Sequence, residues 1–148
     1  MHELASKLQD FLTTFQSTID RLTSNNLLDH PVREGGWTPR QIIHHLSDTQ
    51  AQAYYRIKWI IAEDNTIIKP FDQNVWIEIS KNDDLNASIS LVKAIYSKWI
   101  TMTADLSPEL LEKQAFHPEA GVVTLKPFME YYINHGQNHL NQIINILK

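Results

Sequence analysis

Two histidines near the carboxyl end of the chain, His135 and His139, are spaced so that they could bind one metal ion together. Residues four apart on a helix project from the same face, with their β-carbons roughly 5–6 Å apart. Gly136 between them removes a side chain, which would let a neighbouring helix or a ligand approach closely. Both histidines continue a line of residues three or four apart, which predicts that they face the core. The line consists of Leu125, Phe128, Tyr132, His135, His139, Ile143 and Ile146.

A third histidine, His45, lies on the apolar line of an earlier segment. That line consists of Ile42, His45, Leu46, Thr49, Ala53, Ile57 and Ile60. A buried imidazole costs free energy unless its nitrogens have partners, and one divalent metal ion would serve all three histidines. Three neutral histidines with an open coordination position are typical of a catalytic rather than a structural site. The alternative is that each histidine is a core residue with ordinary hydrogen bonds, and spacing alone does not decide between the two.

Composition excludes several other kinds of site. The 148 residues include no cysteine, so disulfides, iron–sulfur clusters and thiol nucleophiles are ruled out. The formal net charge of −4 argues against sequence-independent binding of nucleic acid. The chain lacks phosphate-binding glycine motifs, the Gly-x-Ser-x-Gly nucleophile motif and any apolar run of membrane-spanning length. The amino terminus does not resemble a signal peptide, and we expect a cytoplasmic protein that binds neither nucleic acid nor a membrane.

The elements that must position the histidines are predicted to be helices almost throughout. The first is a helix of about 20 residues with apolar positions from Leu4 to Leu22, and the second runs from its cap Thr38 to about Glu63. A short helical turn follows Asp72, a third long helix begins near Asp84, and Ser107-Pro108 starts one or two further turns. Residues 117–121 are predicted to be a loop, and Thr124 caps a last helix that continues to the carboxyl end. We therefore predict one all-α domain over residues 1–148, a four-helix bundle with short extra helical turns in its connections.

Four segments of the chain together resemble the DinB-like superfamily, and more narrowly its YfiT branch. They are residues 35–48 (GGWTPRQIIHHLSD), 68–76 (IKPFDQNVW), 117–121 (HPEAG) and 132–139 (YINHGQNH). The resemblance covers roughly residues 5 to 147, and it is the combination of the four segments that makes it specific. The branch is described as metal-dependent hydrolases related to thiol S-transferases.

The resemblance implies a four-helix bundle whose second and fourth long helices supply three histidine ligands. Carried over by position, the ligands are His45, His135 and His139, in agreement with the apolar lines. His44 is then expected behind the ligands or at the surface. The chain departs from the family pattern at Gln50 and Asn138, where relatives often have histidines, so its substrate contacts are expected to differ.

Several further residues are candidates for the chemistry around the ion. Asp48, one turn after His45, is the candidate catalytic residue, which would orient a ligand or accept a proton; the alternative is a solvated helix residue. Arg56, Asp72 and Trp76 are candidates for substrate binding, Arg56 through an anionic group. The alternatives are an ion pair at the buried edge for Arg56 and core packing for Trp76. Trp37, before the helix cap, is predicted to pack rather than react.

The sequence and the resemblance together predict a metal-dependent enzyme. A divalent ion on three imidazoles can lower the pKa of water or ionise a thiol, so hydrolysis and low-molecular-weight-thiol transfer are both open. Zn²⁺, Ni²⁺ and Fe²⁺ all suit imidazole ligands. The competing hypotheses are a non-catalytic metal-binding or stress-associated protein, and a helical interaction module without metal. The substrate is expected to be a small molecule, and the resemblance also implies a possible homodimer.

Overall fold

The computed structural model describes residues 2–148, in which four long helices form the predicted bundle. The helices and strands, in chain order, are α1 (His2–Ser24), α2 (Pro39–Ala62), α3 (Gln73–Ser80), α4 (Leu85–Ala104), a 3₁₀ turn (Leu110–Glu112), β1 (Gln114–His117), β2 (Gly121–Thr124) and α5 (Leu125–Asn145). The short helix α3 and the 3₁₀ turn are the predicted extra turns in the connections. Within residues 2–148, no helix combines the length and the apolar character that a membrane crossing needs.

The four long helices are arranged so that consecutive ones do not always pack together. Helix α1 packs against α4 and α5, and α2 packs against the same two helices. Helices α1 and α2 therefore occupy opposite corners of the bundle. All four contribute large side chains to one continuous core, which includes Phe11, Phe15, Ile43, Ile57, Tyr96, Trp99, Met129 and Leu140.

The start of α2 is fixed by a reciprocal cap, as the sequence predicts. The Gln41 amide donates to Thr38 Oγ1 over 3.2 Å, and the Thr38 amide donates to Gln41 Oε1 over 2.9 Å. Pro39 occupies the first helical position, where its missing N–H leaves no helical hydrogen bond unmade. This cap fixes the register of the helix that carries His45.

The core-facing line predicted for α5 is wrong by about one position over the middle of the helix. Leu125, Phe128 and Ile143 are buried as predicted, but Tyr132, His135 and His139 are only half-buried. The buried line between Phe128 and Ile143 consists of Met129, Ile133, Gly136 and Leu140. Both lines have helical spacing, and the packing of the other helices selects the apolar one. The two histidines consequently lie at the edge of the core rather than in its centre.

A two-stranded antiparallel hairpin interrupts the helical pattern where the sequence predicts only a loop. Strands β1 and β2 pair with His117 opposite Gly121, whose φ of +81° suits a glycine. The linker after α2 extends this hairpin, because the Ile68 amide donates to the Phe116 carbonyl and the Phe116 amide to the Thr66 carbonyl, both over 2.9 Å. Strands of four residues are too short to show a clear alternation in sequence.

The cap of α2 leads to a first prediction. Replacing Thr38 with alanine removes the side-chain acceptor for the Gln41 amide, and we expect the free energy of unfolding to fall by about 0.5–2 kcal/mol. Urea denaturation followed by circular dichroism measures this change. The matched variant Thr101→Ala changes an exposed threonine in the last turn of α4 and is expected to leave stability nearly unchanged. Equal midpoints for Thr38→Ala and the parent would contradict the role of the cap.

Candidate metal centre

Three histidine side chains from two helices converge at the edge of the core. His45 of α2 meets His135 and His139 of α5, and one nitrogen from each ring lies within 4.8 Å of the other two. The Nε2 atoms of His45 and His135 are 3.3 Å apart. Two nitrogens bound to one tetrahedral ion at 2.0–2.1 Å would be separated by about 3.4 Å, so this pair already has the spacing of shared ligands. The group contains no carboxylate.

A buried glutamine sets the tautomer of His135. The Gln50 side chain is fully buried, and its Nε2 donates to the backbone carbonyl of Tyr132 over 2.9 Å and to the Tyr96 hydroxyl over 2.8 Å. Because a carbonyl only accepts, the Gln50 amide nitrogen must face Tyr132, which leaves Oε1 facing His135 Nδ1 at 3.2 Å. His135 Nδ1 therefore carries the proton, and its Nε2 presents a lone pair to the other histidines.

A second glutamine plays the same part for His139. His139 Nδ1 lies 3.0 Å from Gln142 Oε1, one turn further along α5. With the Nδ1 proton donated to that oxygen, His139 Nε2 is free to act as a ligand. Metal-binding histidines in proteins almost always donate their second N–H in this way. The donor set therefore fits a divalent metal ion.

Gly136 makes room for the glutamine that supports the site. A β-carbon at this position would lie 2.7 Å from Gln50 Nε2 and would overlap the Tyr96 hydroxyl. The expectation that Gly136 permits a close approach is confirmed: α2 and α4 send polar side chains against the α5 backbone at this residue. Any larger residue here would displace the Gln50 amide that orients His135.

The three imidazoles are held in their neutral, metal-binding form. Burial lowers the pKa of His45 to about 3, with further lowering from His139 and His135. Burial and the neighbouring His139 lower the pKa of His135 to about 4, and burial also lowers the pKa of His139. Neutral imidazoles present free lone pairs, and a metal ion would not have to displace protons from them at neutral pH.

Trp37 packs against the centre from the loop that precedes α2. Its ring lies 4.8 Å from the His45 ring and is stacked on His139 at 6.2 Å, measured between centroids. Trp37 therefore has the predicted packing role, and it packs against two of the three histidines.

The loop that precedes α2 also lines a cavity of about 290 Å³ that reaches His139 and includes Arg33. The sequence analysis assigns no role at the site to Gln50, Gln142 or Arg33. The partners of Gln50 are distant along the chain and Arg33 belongs to the loop, whereas the spacing of Gln142, three residues after His139, could have indicated its role.

His44 does not join the three-histidine group. Its ring is buried, and Nδ1 lies 2.7 Å from Ser88 Oγ of α4, while Nε2 has no hydrogen-bond partner within the described residues. Of the two expectations for His44, a place behind the ligands or a place at the surface, the second is wrong, and the ring lies between α2 and α4. Adjacent residues on a helix point about 100° apart, so His44 and His45 face different neighbours.

Asp48 lies on the side of α2 that faces α3. Its carboxylate accepts a hydrogen bond from Ser80 Oγ over 3.1 Å. Burial raises the pKa of Asp48 and outweighs the opposing effect of the Ser80 hydrogen bond. The structure does not group this carboxylate with the three histidines, and the catalytic role of Asp48 stays a prediction.

Arg56 is buried and bonded to neutral partners instead of an acid. Its guanidinium donates to the Tyr132 hydroxyl over 3.0 Å and to the Lys69 carbonyl, and it lies over the Phe71 ring at 5.3 Å. The ion pair considered as an alternative is absent among the described residues. Tyr132 in turn packs its ring 6.0 Å from that of His135, so Arg56 reaches the centre only through the tyrosine.

The other two predicted substrate-binding residues belong to the start of α3. The Asp72 carboxylate caps this helix by accepting from the Asn74 and Val75 amides, over 2.9 and 3.3 Å. Trp76 is half-buried and packs on Phe71 with ring centroids 4.4 Å apart. The substrate-binding roles of Arg56, Asp72 and Trp76 likewise stay predictions.

Comparison with known proteins identifies one family, and relatives to which the same kind of activity is assigned. A family model described as the DinB superfamily matches residues 7–143. A protein of Oceanobacillus iheyensis is 36% identical over all of this chain and 86% of its own length, and YfiT of Bacillus subtilis is 28% identical over 94% of this chain and 79% of its own length. Both carry the name "putative metal-dependent hydrolase".

Solved structures agree with the bundle. The structure of Bacillus subtilis YfiT, described as having an unusual four-helix bundle topology, superposes with a TM-score of 0.88 at 27% identity, covering 97% of this chain and 83% of that one. Another solved four-helix bundle protein superposes with a TM-score of 0.59 at 14% identity, over 95% of this chain and 98% of that one, and supports the fold alone.

The glutamine behind His135 gives a second prediction. Replacing Gln50 with leucine removes the acceptor that holds the His135 proton on Nδ1, and we expect the dissociation constant of a bound divalent ion to rise by about 10–100-fold. Competition with a chelator measures this, at a temperature where circular dichroism shows the variant folded. Gln52→Leu, on the same helix but away from the histidines, is the matched control. Parent-like affinity in Gln50→Leu would contradict the assignment.

The environment of Asp48 gives a third prediction, on pH. A folded-state pKa above the ordinary 3.8 means that ionised Asp48 is less stable in the folded chain than in the unfolded chain. Asp48→Asn keeps an acceptor for Ser80 and is expected to raise the urea midpoint at pH 7. The gain should shrink as the pH falls toward 3.8, because the folded-state carboxyl, whose pKa is raised, becomes protonated above that value, and it should be absent at lower pH. Asp10→Asn, exposed on α1, should show no such gain; a parent-like midpoint for Asp48→Asn at pH 7 would show that burial of the carboxylate has no energetic cost.

Proposed function

The chain belongs to the DinB superfamily, and from that premise we propose that it is a divalent-metal-dependent enzyme, most simply a hydrolase. The observation that carries the proposal is the convergence of His45, His135 and His139, all neutral, beside a cavity that reaches one of them. The names of the relatives and of the solved YfiT structure support the same activity.

Some residues of the centre would hold the metal ion, and others orient the histidines that hold it. His45, His135 and His139 would hold the ion, and Gln50 and Gln142 keep the Nδ1 protons of the two α5 histidines away from it. When bound, such an ion supplies a strong positive charge that activates water or a thiol and polarises an electrophile. Trp37 packs against the rings of His45 and His139 from the loop that precedes α2 and would help to fix their orientation.

Thiol transfer is a second use of the same centre. Three neutral imidazoles leave the full charge of the ion uncompensated by the protein, because the ligand group contains neither a carboxylate nor a thiolate. Such a centre favours an anionic external ligand, and a low-molecular-weight thiolate meets that requirement as well as hydroxide does. The identity of the ion among Zn²⁺, Ni²⁺ and Fe²⁺, the cytoplasmic location and the homodimer stay predictions.

The ligand assignment is the fourth prediction. His45→Ala, His135→Ala and His139→Ala are each expected to abolish tight binding of a divalent ion and to leave a folded helical bundle. Elemental analysis of protein purified without an affinity tag measures the metal, and circular dichroism checks the fold. The parent should hold about one ion per chain, as a three-ligand site requires, and should then be tested on ester, amide and thiol–electrophile substrates.

His44→Ala is the matched control for this series. It replaces the adjacent buried histidine, which bonds Ser88 instead of the ligand group, so most of the metal should be retained. Loss of the metal in His44→Ala together with retention in His45→Ala would show that the ligand set is wrong by one residue. A parent without metal after loading and dialysis would overturn the proposed function.

A further inference from the structure

A cavity of about 290 Å³ opens beside His139, between the loop that precedes α2 and the first turn of α3. The side chains with polar atoms on its wall are those of Arg33, Trp37, Gln73, Asn74 and Gln142, besides His139 itself. Arg33 supplies a positive charge, and no carboxylate lines the wall. A bound divalent ion would add further positive charge at the histidine end. The cavity is therefore suited in charge to a negatively charged group.

The Arg33 guanidinium is available for such a group. Within residues 2–148, no carboxylate lies within ion-pair distance of it, although Glu34 is its neighbour in sequence. Its side chain lies across the loop over Gly36, where a β-carbon would come within 2.7 Å of Arg33 Cγ and 3.4 Å of Nε. The same turn is closed by the Gly36 amide, which donates to the Arg33 carbonyl over 2.9 Å. Gly36 thus leaves space for the arginine to lie along the cavity wall.

The wall also offers side-chain amides as donors, those of Gln73, Asn74 and Gln142. The first free amides of α3, those of Asn74 and Val75, already donate to the Asp72 carboxylate. The negative charge of Asp72 therefore already compensates the positive end of this helix dipole. A ligand in the cavity would be bound by Arg33 and by the side chains of Gln73 and Asn74, which are exposed and lie at its mouth.

Arg56 is less suited to bind a charged substrate than Arg33. Its guanidinium is engaged by Tyr132, the Lys69 carbonyl and Phe71, and it lines a different cavity, which contains no histidine. Arg33 lines the cavity that reaches a residue of the proposed metal centre, and no hydrogen bond within the described chain engages its guanidinium. The position of the cavity, and not the burial of the arginine, decides which of the two can meet a substrate at the centre.

We propose that this cavity binds a carboxylate of the substrate, with Arg33 as its counter-charge, while the reacting end of the substrate lies at the three histidines. An arginine can bind a carboxylate through two parallel hydrogen bonds, which also fixes its orientation. The volume is at the lower limit for ligand pockets, so the substrate is a small organic anion or the charged end of a larger one. This inference rests on the proposed function, whose substrate class it names.

The test compares two thiols that differ only in charge, 4-mercaptobutyrate and its amide, titrated calorimetrically into the metal-loaded protein. The parent should bind the acid about tenfold more tightly than the amide, as one charge-assisted interaction provides. Arg33→Gln should bind both equally, and Arg33→Lys should recover part of the preference. Arg21→Gln makes the same charge change on the exposed face of α1 and should behave as the parent. A preference that persists in Arg33→Gln would overturn the proposal.

A metal-independent measurement separates this inference from the proposed function. Glutarate titrated into the metal-free protein is expected to shift the Trp37 indole and Gly36 amide resonances in ¹H–¹⁵N spectra, and Arg33→Gln should remove the shifts. Absence of these shifts in the parent, or their persistence in the variant, would overturn the carboxylate site even if metal binding is confirmed. If the shifts occur but no metal binds, the proposed function fails and the anion site stands.

Discussion

The arrangement depends above all on one buried amide, that of Gln50. It joins three of the four long helices, because its nitrogen donates to Tyr96 of α4 and to the backbone of α5 while its oxygen faces His135. An unpaired amide in this position would cost free energy, so the helices cannot slide relative to one another without breaking the network. The same hydrogen bonds that fix the helix packing also fix which nitrogen of His135 is free. Helix packing and the orientation of a proposed metal ligand are therefore controlled by the same side chain.

The three histidines lie where they are buried enough to stay neutral and where a cavity still reaches one of them. At the centre of the core, the histidines would be neutral but closed to any substrate, and at the surface they would be open but more easily protonated. His45 is buried, whereas His135 and His139 lie one line away from Met129 and Leu140 on α5 and are half-buried. Burial still lowers the pKa values of His45 and His135, while a cavity reaches His139. The error in the predicted core line of α5 therefore bears on the proposed function, because a catalytic centre needs an open coordination position and a structural centre does not.

Local sequence signals predicted the helices. Long-range packing determined the role of Gln50 and the pairing of the linker with the hairpin. The starts of α2 and α4 could be predicted because Thr38-Pro39 and Asp84 act on the residues that follow them directly. The grouping of the ligands followed from their spacing on two helices and from the family resemblance. The role of Gln50 could not be predicted, because its partners lie 46, 82 and 85 residues away. The hairpin was missed because its four-residue strands are too short to show an alternation, and its pairing with the linker was missed because Ile67 and Phe116 are distant along the chain.

The placement of α1 and α2 at opposite corners has a consequence for biosynthesis. Among the long helices, each of these two packs mainly against α4 and α5, and 90 residues separate His45 from His135. During synthesis, the amino-terminal half of the chain leaves the ribosome with His45, a proposed ligand, but without its partners. The three proposed ligands first come together once α5 has been released and has docked between α1 and α2. Under the proposed function, acquisition of the ion would therefore be a late event, which follows translation of the last helix and reports that the whole bundle has assembled.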